Sequence, residues 1–551
     1  MQTDVLIAGA GPTGLALANQ LARFGVDFVV IDHREGTTPH SKAIGVQART
    51  LEIYDQMDIA GSLVSKGWHA EKVRLVGGGE IRGEIDLRSI GTGMSPFPFL
   101  LIVEQGLHEA LLYDHLKESG RDVNWLTELL EFSQDEAVVR AIIGAGEGRK
   151  EITAKYLVGC DGAHSLVRHS LGLKFEGATF ERLFYVADVE IDWEFSHDAL
   201  HVNLGDDTLT AFFPMVGDRR WRIVGTFPEG HEKDPNDILF EEIEHQVSLD
   251  TSLKFDITKV NWNSVYKVHS RAVERFSFGR CFLAGDAAHI HTPAGAQGMN
   301  TGIQDGYNLA WKLAEVTKHN APVSLLDTYN EERLPNAKRL LNTTDRLFDF
   351  AASDEWLTSF LRKYVFPYVA NFALSFDAVK QIVFPLVSQI GISYRESSLS
   401  EIVGSFSVTA GDRMPWIEID GRSIYDDLHA PMFHLVVFSD GKCEIPPLPG
   451  ELMQRWNGRI DSHFYSLNDK AIETFGCDHT FFMILRPDNY IGLISDQLSP
   501  ELIENYLSRF ESYFKDQFPI GSPGGVASGV VAFRGSAGRA RNFSISSTVE
   551  R

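Results

Sequence analysis

Cysteine is scarce in this chain: only four of the 551 residues are cysteines, and no two of them form a CxxC pair. That scarcity excludes a dense disulfide framework and the usual cysteine-rich zinc clusters. The chain also lacks an apolar run of about 18 residues or more, and its first residues lack the basic start of a secretory signal. We therefore expect no membrane span and a cytoplasmic location.

Positive charge is in short supply as well. Lys and Arg number 51 against 75 Asp and Glu, which gives a formal net charge of −24. A chain this acidic repels nucleic-acid phosphates and anionic membrane surfaces, so we expect neither as a partner. The 44% of apolar residues is a globular value, and the length suffices for about three structural units.

A glycine-rich turn stands near the start of the chain. The segments around it are strand-like Val5–Ala8, the turn Gly9–Gly14, helix-like Leu15–Phe24 and strand-like Phe28–Ile31. Gly9 permits a tight turn, Gly11 lets a pyrophosphate approach the backbone, and Gly14 lets helix and strand pack closely. The helix N-terminus offers N–H groups to phosphates, and Asp32 can accept hydrogen bonds from ribose hydroxyls. The pattern predicts a dinucleotide site without separating FAD from NAD.

Two further motifs follow. Cys160–Arg168 reads CDGAHSLVR, and Gly279–Asp305 contains GDAAH and PAGAQGMNTGIQD. With all three motifs in this order, the chain resembles the single-component FAD-dependent aromatic hydroxylases, such as p-hydroxybenzoate hydroxylase and phenol hydroxylase. The resemblance is to their phenol and polyketide branch, which has a thioredoxin-like C-terminal domain. It covers residues 3–340 strongly and 403–512 loosely.

The pattern and the resemblance together imply an α/β protein. The predicted parts are a Rossmann-like FAD-binding domain at 1–72, 100–175 and 265–340; an inserted antiparallel β-sheet substrate domain at 73–99 and 176–264; a helical segment at 341–402; a thioredoxin-like α/β domain at 403–515; and a flexible tail or packing arm at 516–551. The thioredoxin-like domain lacks CxxC, so we expect no thiol redox role for it.

The third motif has features that suit a flavin ring. Asp286 can take the ribitol hydroxyls, and the small loop Pro293–Gly298 can lie along a flat ring. A helix starting near Gly298 would point its positive end at reduced flavin, worth about 0.3–2 kcal/mol. Met299 and Asn300 can offer backbone or amide donors to the same edge.

The resemblance also implies roles for residues outside the glycine turns. Arg49 matches an arginine that contacts FAD phosphates, Gln105 matches a glutamine near the cofactor, and Asp161 matches an acid that serves both FAD and NADPH. Each has an ordinary alternative. Arg49 could be a surface partner of Glu52, Gln105 could be a residue at the start of a helix, and Asp161 could cap the helix that follows it. Lys42 stands where relatives have Arg, which keeps the charge but removes the bidentate fork.

The complete cofactor prediction is Gly9, Gly11, Pro12, Thr13, Gly14, Asp32, Arg34, Lys42, Arg49, Gln105, Asp161, Gly285, Asp286, Pro293, Gly295, Gln297, Gly298, Met299 and Asn300. No metal site is predicted, because the HxH pair His289 and His291 has no third ligand nearby.

By resemblance, NADPH reduces FAD, O2 adds at flavin C4a, and the hydroperoxide delivers an OH group to an electron-rich ring. The expected partners are a small aromatic substrate and O2, with a homodimer possible. We predict no definite catalytic residue. The pocket candidates are Tyr185, His201, Phe213, Tyr266 and Pro293, with His201 a guess for a base and sheet packing the competing interpretation of each.

Two other functions stay open. The same FAD site could carry out Baeyer–Villiger oxygenation or epoxidation of a polycyclic ketone or quinone. Alternatively, the chain could be a non-catalytic flavoprotein that binds an aromatic ligand.

Overall fold

The computed structural model describes residues 1–39, 43–146, 148–204, 208–231, 233–292, 296–352, 377–442 and 446–511. The strands are β1 (Gln2–Ala8), β2 (Phe28–Ile31), β3 (Gly45–Val46), β4 (Trp68–Ala70), β5 (Lys72–Gly77), β6 (Glu80–Asp86), β7 (Leu100–Ile102), β8 (Val123–Asn124), β9 (Thr127–Gln134), β10 (Val139–Ala145), β11 (Gly148–Gly159), β12 (Phe175–Trp193), β13 (Leu200–Leu204), β14 (Leu209–Pro214), β15 (Arg220–Thr226), β16 (Phe255–Val273), β17 (Ser277–Phe278), β18 (Cys281–Leu283), β19 (His289–Ile290), β20 (Glu401–Val403), β21 (Glu418–Ile419), β22 (Arg422–Ser423), β23 (Phe433–Ser439), β24 (Ile460–Ser466), β25 (Phe481–Leu485) and β26 (Ile491–Ser495).

The helices are α1 (Pro12–Arg23), α2 (Ala48–Asp55), α3 (Ala60–Val64), α4 (Gln105–Glu118), α5 (Leu166–Ser170), α6 (Phe240–Thr251), α7 (Gly298–Lys318), α8 (Asp327–Ala352), α9 (Asp377–Val387), α10 (Gly450–Arg455), α11 (Asp469–Phe475) and α12 (Pro500–Ser508). No helix among the described residues combines the length and apolar character that crossing a bilayer requires.

The first sheet has the strand order β17-β18-β11-β1-β2-β8, with the β9–β10 hairpin paired to β11. Its strands β18, β11, β1, β2 and β8 run parallel. The central strand β1 is buried along Val5–Ala8, and α1, α4 and α7 pack over the sheet. Near-continuous apolar runs are what a parallel sheet covered by helices requires. This sheet confirms the predicted α/β class.

The second sheet has the order β19-β16-β12-β15-β14-β13-β5-β6 and is antiparallel except where β13 runs parallel to β5. Its spine is the pair β12 and β16, each 19 residues long. On one face, Tyr185 and Val189 of β12 pack in one core with Ile243 and Val247 of α6. Because side chains alternate along a strand, their neighbours point to the opposite face, where Phe213 packs with Ile44. Ile44 adjoins the small sheet β3-β7-β4, and we call this small sheet, the first sheet and their helices the first-sheet unit.

The third sheet has the order β20-β26-β25-β23-β24 and mixes parallel and antiparallel pairs. Separate apolar cores cover its two faces, and one of them includes Trp311 of α7. The thioredoxin-like assignment and the predicted domain boundaries stay predictions. Within the predicted helical segment, residues 353–376 lie outside the described residues, and so does the predicted tail.

We call the third sheet and the helices that pack on it the third-sheet unit. Buried charged side chains join it to α7 and α8. Arg486 donates to Glu332 of α8 at 2.6 Å and to Asp488 at 2.5 Å. Lys312 of α7 donates to the same Glu332 carboxylate at 2.8 Å, and Trp311 donates to Asp488 at 3.1 Å. Burial raises the pKa of Glu332, but Arg486 and Lys312 outweigh it and hold that pKa well below its usual range. The carboxylate is therefore ionised and fully compensated.

We expect Arg486→Met to lower the free energy of unfolding by about 3–5 kcal/mol, because it leaves the buried Asp488 carboxylate without its cation and Glu332 with Lys312 alone. Arg509→Met is the matched control: Arg509 pairs with Glu401 at the surface, where its side chain is 39% exposed. An exposed pair is worth about 0–1 kcal/mol. Chemical denaturation followed by circular dichroism measures both, and equal losses would contradict the buried network.

Candidate active site

The N-terminus of α1 is open. Gly11 is its N-cap residue, Pro12 and Thr13 begin the helix, and no side chain caps it. A Cβ atom on Gly11 would meet nothing within 4 Å, whereas one on Gly14 would lie 2.0 Å from the Gly9 carbonyl oxygen. The outer glycines thus permit close chain packing, while Gly11 leaves free space at a helix end that attracts phosphate.

Asp32 follows β2 and is tied to the same turn. Its Oδ2 accepts from the Ala10 amide at 2.7 Å, and its carboxylate accepts from the Arg34 guanidinium at 3.0 and 3.1 Å. Burial raises the pKa of Asp32, but these hydrogen bonds outweigh burial and lower it overall. Asp32 is therefore an ionised acceptor, and a ribose hydroxyl would use its remaining lone pairs.

Gln105 lies at the start of α4 beside this cluster. Its amide donates to Glu109 at 2.8 Å, and its oxygen accepts from the Ala43 amide at 3.1 Å. Glu109 also accepts from Arg34 at 3.2 Å. Gln105 therefore ties the segment after Lys42 to Asp32 and Arg34. Lys42 itself lies outside the described residues.

The turn after β11 holds an orphaned carboxylate oxygen. Asp161 Oδ2 accepts from the Val167 amide at 3.1 Å, but its buried Oδ1 has no partner among the described residues. Ser165 caps α5 through the Arg168 amide at 3.0 Å, and Asp161 accepts from a second amide in the first turn of the same helix, which agrees with the helix-cap alternative. Burial raises the pKa of Asp161. A buried acceptor without a partner is costly, so a hydroxyl donor of a bound ligand would satisfy it.

Three turns meet at one edge of the first sheet. The Cys160 amide donates to Ala8 O at 2.7 Å, and the Ala284 amide donates to Gly159 O at 3.0 Å, which sets the ends of β1, β11 and β18 side by side. A Cβ on Gly285, whose φ is +60°, would lie 2.5 Å from Thr13 Oγ1. The exposed Asp286 stands on this third turn.

Helix α7 reaches this edge with its N-terminus. Gln297 is its N-cap residue, Gly298 begins it, and no side chain caps it. The Gln297 side chain instead donates to the Val387 carbonyl at 3.2 Å. The buried Nε2 of His291 lacks a partner among the described residues, and a Cβ on Gly298 would lie 3.1 Å from it. Open amides and an unused imidazole nitrogen suit a polar ring edge.

Asn300 and Met299 contribute differently from each other. The Asn300 amide donates to Gly45 O at 2.9 Å and Ala296 O at 2.8 Å, and its oxygen accepts from Gln47 and Thr50. The amide is therefore committed to the protein, which leaves the main chain as the source of ligand donors. Met299 packs partly buried against the first-sheet core. Pro293 and Gly295 lie outside the described residues.

Arg49 is buried on α2 and turned toward the third-sheet unit. Its guanidinium donates to Glu52 at 3.0 Å and to Asp488 O at 3.0 Å. It also lies over the rings of Tyr307 and Tyr490, at 5.6 and 5.2 Å from their centroids. Glu52 is therefore a partner of Arg49, as in the alternative interpretation, but the pair is buried and does not lie at the surface. A contact with FAD phosphates stays a prediction.

Asp305 is a residue that sequence reasoning missed as part of the site. Its carboxylate accepts from the Gly285 amide at 3.0 Å, from His289 Nε2 at 2.8 Å and from Arg333 Nε at 2.7 Å. Burial raises the pKa of Asp305, but Arg333 and His289 outweigh it and lower it overall. Asp305 closes the third motif, so its position in that motif was the available signal.

The second sheet separates the pocket candidates by face. Tyr185 and His201 are fully buried on the α6 side, where Tyr185 bonds Thr210 at 2.9 Å and His201 packs on Trp193. Strand alternation points both side chains away from the first-sheet unit, and their assignment as pocket residues stays a prediction. Burial also lowers the pKa of His201 to about 4, which makes it a weak base.

Phe213 and Tyr266 lie on the opposite face. Tyr266 stacks on its cross-strand neighbour Phe184 at 6.3 Å. Beside them, Arg222 donates twice to Asp188, at 2.6 and 2.7 Å. Burial raises the pKa of Tyr266 to about 12, so its hydroxyl is neutral at physiological pH. This face offers aromatic surface and one neutral hydroxyl on the side of the sheet away from α6.

Comparison with known proteins agrees with this geometry. Residues 2–344 match the family model described as FAD binding domain. The chain is 32% identical to a flavin-dependent monooxygenase of Mycobacteroides abscessus, over 92% of this chain and 99% of that protein. It is 33% identical to the 6-methylpretetramide 4-monooxygenase of Streptomyces rimosus, over 89% of this chain and 90% of that protein.

A solved structure is similar along nearly the whole chain. It is the anhydrotetracycline hydroxylase OxyS from Streptomyces rimosus, with a TM-score of 0.72 and 28% sequence identity. The match covers 92% of this chain and 99% of that one. The similarity therefore includes the third-sheet unit as well as the three turns.

We expect Gly11→Ala to lower FAD affinity at least tenfold without changing the melting temperature of the FAD-free protein. The added methyl group meets no protein atom but occupies the space at the α1 N-terminus. The flavin-to-protein absorbance ratio after desalting measures retention. Gly61→Ala on α3, where a Cβ likewise meets nothing within 4 Å, is the control. Equal FAD retention in both variants would contradict this site.

Proposed function

The chain belongs to the FAD binding domain family, and we propose that it is a monooxygenase that uses NADPH and O2 to hydroxylate a phenolic or polycyclic aromatic substrate. The proposal includes the flavin hydroperoxide route that the family resemblance implies. The observation that carries it is the meeting of three glycine turns and two open helix N-termini at one sheet edge; two of the turns bear a carboxylate, and the Ala10 amide of the first donates to the Asp32 carboxylate. Relatives that are named monooxygenases of aromatic polyketides support it.

The residues present fit FAD. Gly11 leaves room for a pyrophosphate, Asp32 is an ionised acceptor for ribose, and Asp161 has an unsatisfied oxygen. Bound FAD supplies the electron and oxygen-transfer chemistry. The α7 N-terminus near Gly298 supplies uncapped amides and a positive dipole end, which stabilise negative charge on a reduced ring.

The substrate is oriented by the face of the second sheet that carries Phe213 and Tyr266. Flat aromatic side chains favour a planar ligand, and their apolar surface excludes water. The neutral hydroxyl of Tyr266 can exchange a hydrogen bond with a phenolic oxygen. The paired charges of Arg222 and Asp188 are already compensated, so they hold the shape of this face rather than bind an anion. The protein therefore positions the ring that FAD oxygenates.

The direct test is NADPH consumption by the purified FAD-loaded enzyme across phenols and polycyclic quinones. We expect a ligand that accelerates consumption and yields a hydroxylated ring whose new oxygen derives from ¹⁸O2. A lactone or epoxide product would replace hydroxylation by the alternative oxygenation. If NADPH fails to reduce the flavin whichever ligand of the panel is added, the monooxygenase proposal fails and a non-catalytic flavoprotein is favoured.

Two tyrosines on opposite faces make a matched test of the substrate face. We expect Tyr266→Phe to raise KM for a phenolic substrate about five- to tenfold, because it removes one hydrogen bond worth about 1 kcal/mol or slightly more. Tyr185→Phe removes the hydroxyl bonded to Thr210 and should lower stability by about 1 kcal/mol with KM unchanged. Steady-state kinetics and thermal melts measure both. If only Tyr185→Phe raised KM, the substrate would bind on the α6 side of the second sheet, which would contradict this assignment.

A further inference from the structure

Two neighbouring strands of the third sheet bring together a group of metal-ligand side chains. His434 lies on β23, and Asp461 and His463 lie on the adjacent edge strand β24. The parallel register pairs His434 with Asp461 and Val436 with His463. Positions two apart on a strand share a face, so all three side chains point to the same side. Their ligand atoms lie within 4.8 Å of one another.

The state of His434 is set by its surroundings. Its Nε2 lies 3.1 Å from the Ala430 carbonyl oxygen, which can only accept a hydrogen bond. Nε2 therefore carries the proton. Nδ1 consequently presents a lone pair. A ligating histidine typically has this arrangement, with its other ring nitrogen donating to a carbonyl.

The separations suit a small divalent ion. His434 Nδ1 lies 3.1 Å from His463 Nε2, and that nitrogen lies 3.7 Å from Asp461 Oδ2. Two nitrogens bound to tetrahedral zinc at about 2.05 Å would stand about 3.3 Å apart. These two separations lie on either side of that value, and the third, between His434 and the Asp461 carboxylate, is within 4.8 Å. Binding therefore needs the exposed Asp461 side chain to move toward the two imidazoles.

Solvent can reach the group from the side of β24. His434 is buried, the His463 side chain is 12% exposed, and the Asp461 side chain is 54% exposed. One ligand is thus fixed by the core, while the other two border water. A metal ion can enter there and keep water as its fourth ligand.

We propose that His434 Nδ1, His463 Nε2 and an Asp461 carboxylate oxygen bind a divalent first-row transition metal such as Zn²⁺. Two imidazoles and one carboxylate select such ions over Mg²⁺ and Ca²⁺, which prefer all-oxygen sites. The site is distinct from the flavin edge and departs from the prediction of no metal. The competing account is a hydrogen bond from His463 to His434 with no ion.

The site would brace the contact between the third-sheet unit and the first. The Ala430 carbonyl that fixes His434 adjoins His429, whose own carbonyl accepts from Arg23 of α1. Nearby, the Leu428 carbonyl accepts from Gln56 at 3.1 Å. A metal that immobilises His434 therefore also steadies this segment. We expect Zn²⁺ to raise the melting temperature of the FAD-loaded protein.

The test uses the full-length FAD-loaded protein after dialysis against a chelator. Zn²⁺ is titrated by calorimetry, and Co²⁺ by its visible d–d absorption, which reports ligand geometry independently of activity. We expect one site per chain. His463→Asn should weaken Zn²⁺ binding at least tenfold and abolish the melting shift, and Asp461→Asn should weaken binding by a smaller factor.

His245→Asn, on the exposed side of α6, is the matched control and should bind Zn²⁺ like the parent protein. Retained FAD and an unchanged circular dichroism spectrum show that each variant is folded. The proposal is overturned if the parent gives neither Zn²⁺ heat nor Co²⁺ bands. It is also overturned if His463→Asn and His245→Asn bind alike.

Discussion

The arrangement of the candidate active site depends on the hydrogen bonds that the buried Asp305 carboxylate accepts. The carboxylate accepts from the amide of Gly285, from His289 and from Arg333, and so fixes the third turn against α7 and α8. Arg333 continues the connection to the Tyr394 hydroxyl at 2.9 Å. This carboxylate therefore joins the turn that carries Asp286 to the helix that begins at Gly298.

Close helix contact is the second requirement. A Cβ on Gly302 would lie 2.4 Å from Thr13 Oγ1, and one on Gly306 would lie 3.1 Å from the Leu17 Cβ. These glycines let α7 lie directly on α1, so both helix N-termini reach one edge. Further along α7, Trp311 packs into a core of the third sheet and donates to Asp488. The third-sheet unit thereby braces α7.

The local parts of this design could be predicted from the sequence because each has a short-range cause. Gly9, Gly11 and Gly14 are separated by fixed spacings, and the strands that flank them are apolar runs. The facing of the second sheet could not be predicted, because both of its faces are covered and carry apolar residues. The sequence alone therefore does not separate Tyr185 and His201, on the α6 side, from Phe213 on the other.

Contacts between segments that are distant in the chain also could not be predicted from the sequence. Arg49 bonds Asp488 O, and Asn300 bonds Gly45 O, so their polar groups are committed to partners far along the chain. The His434 and His463 pair depends on the register of two strands joined through a helix. Neither spacing nor composition indicates such pairings. They follow from the sheet order and the packing of whole units.

The account rests on a single cofactor spanning the edge between α1 and α7. A crystal structure of the protein with FAD tests this most directly. We predict density for the pyrophosphate at the α1 N-terminus beside Gly11 and for the isoalloxazine ring at the α7 N-terminus beside Gly298. FAD density elsewhere in the protein, or no FAD density at this edge in crystals grown at saturating FAD, would contradict the account.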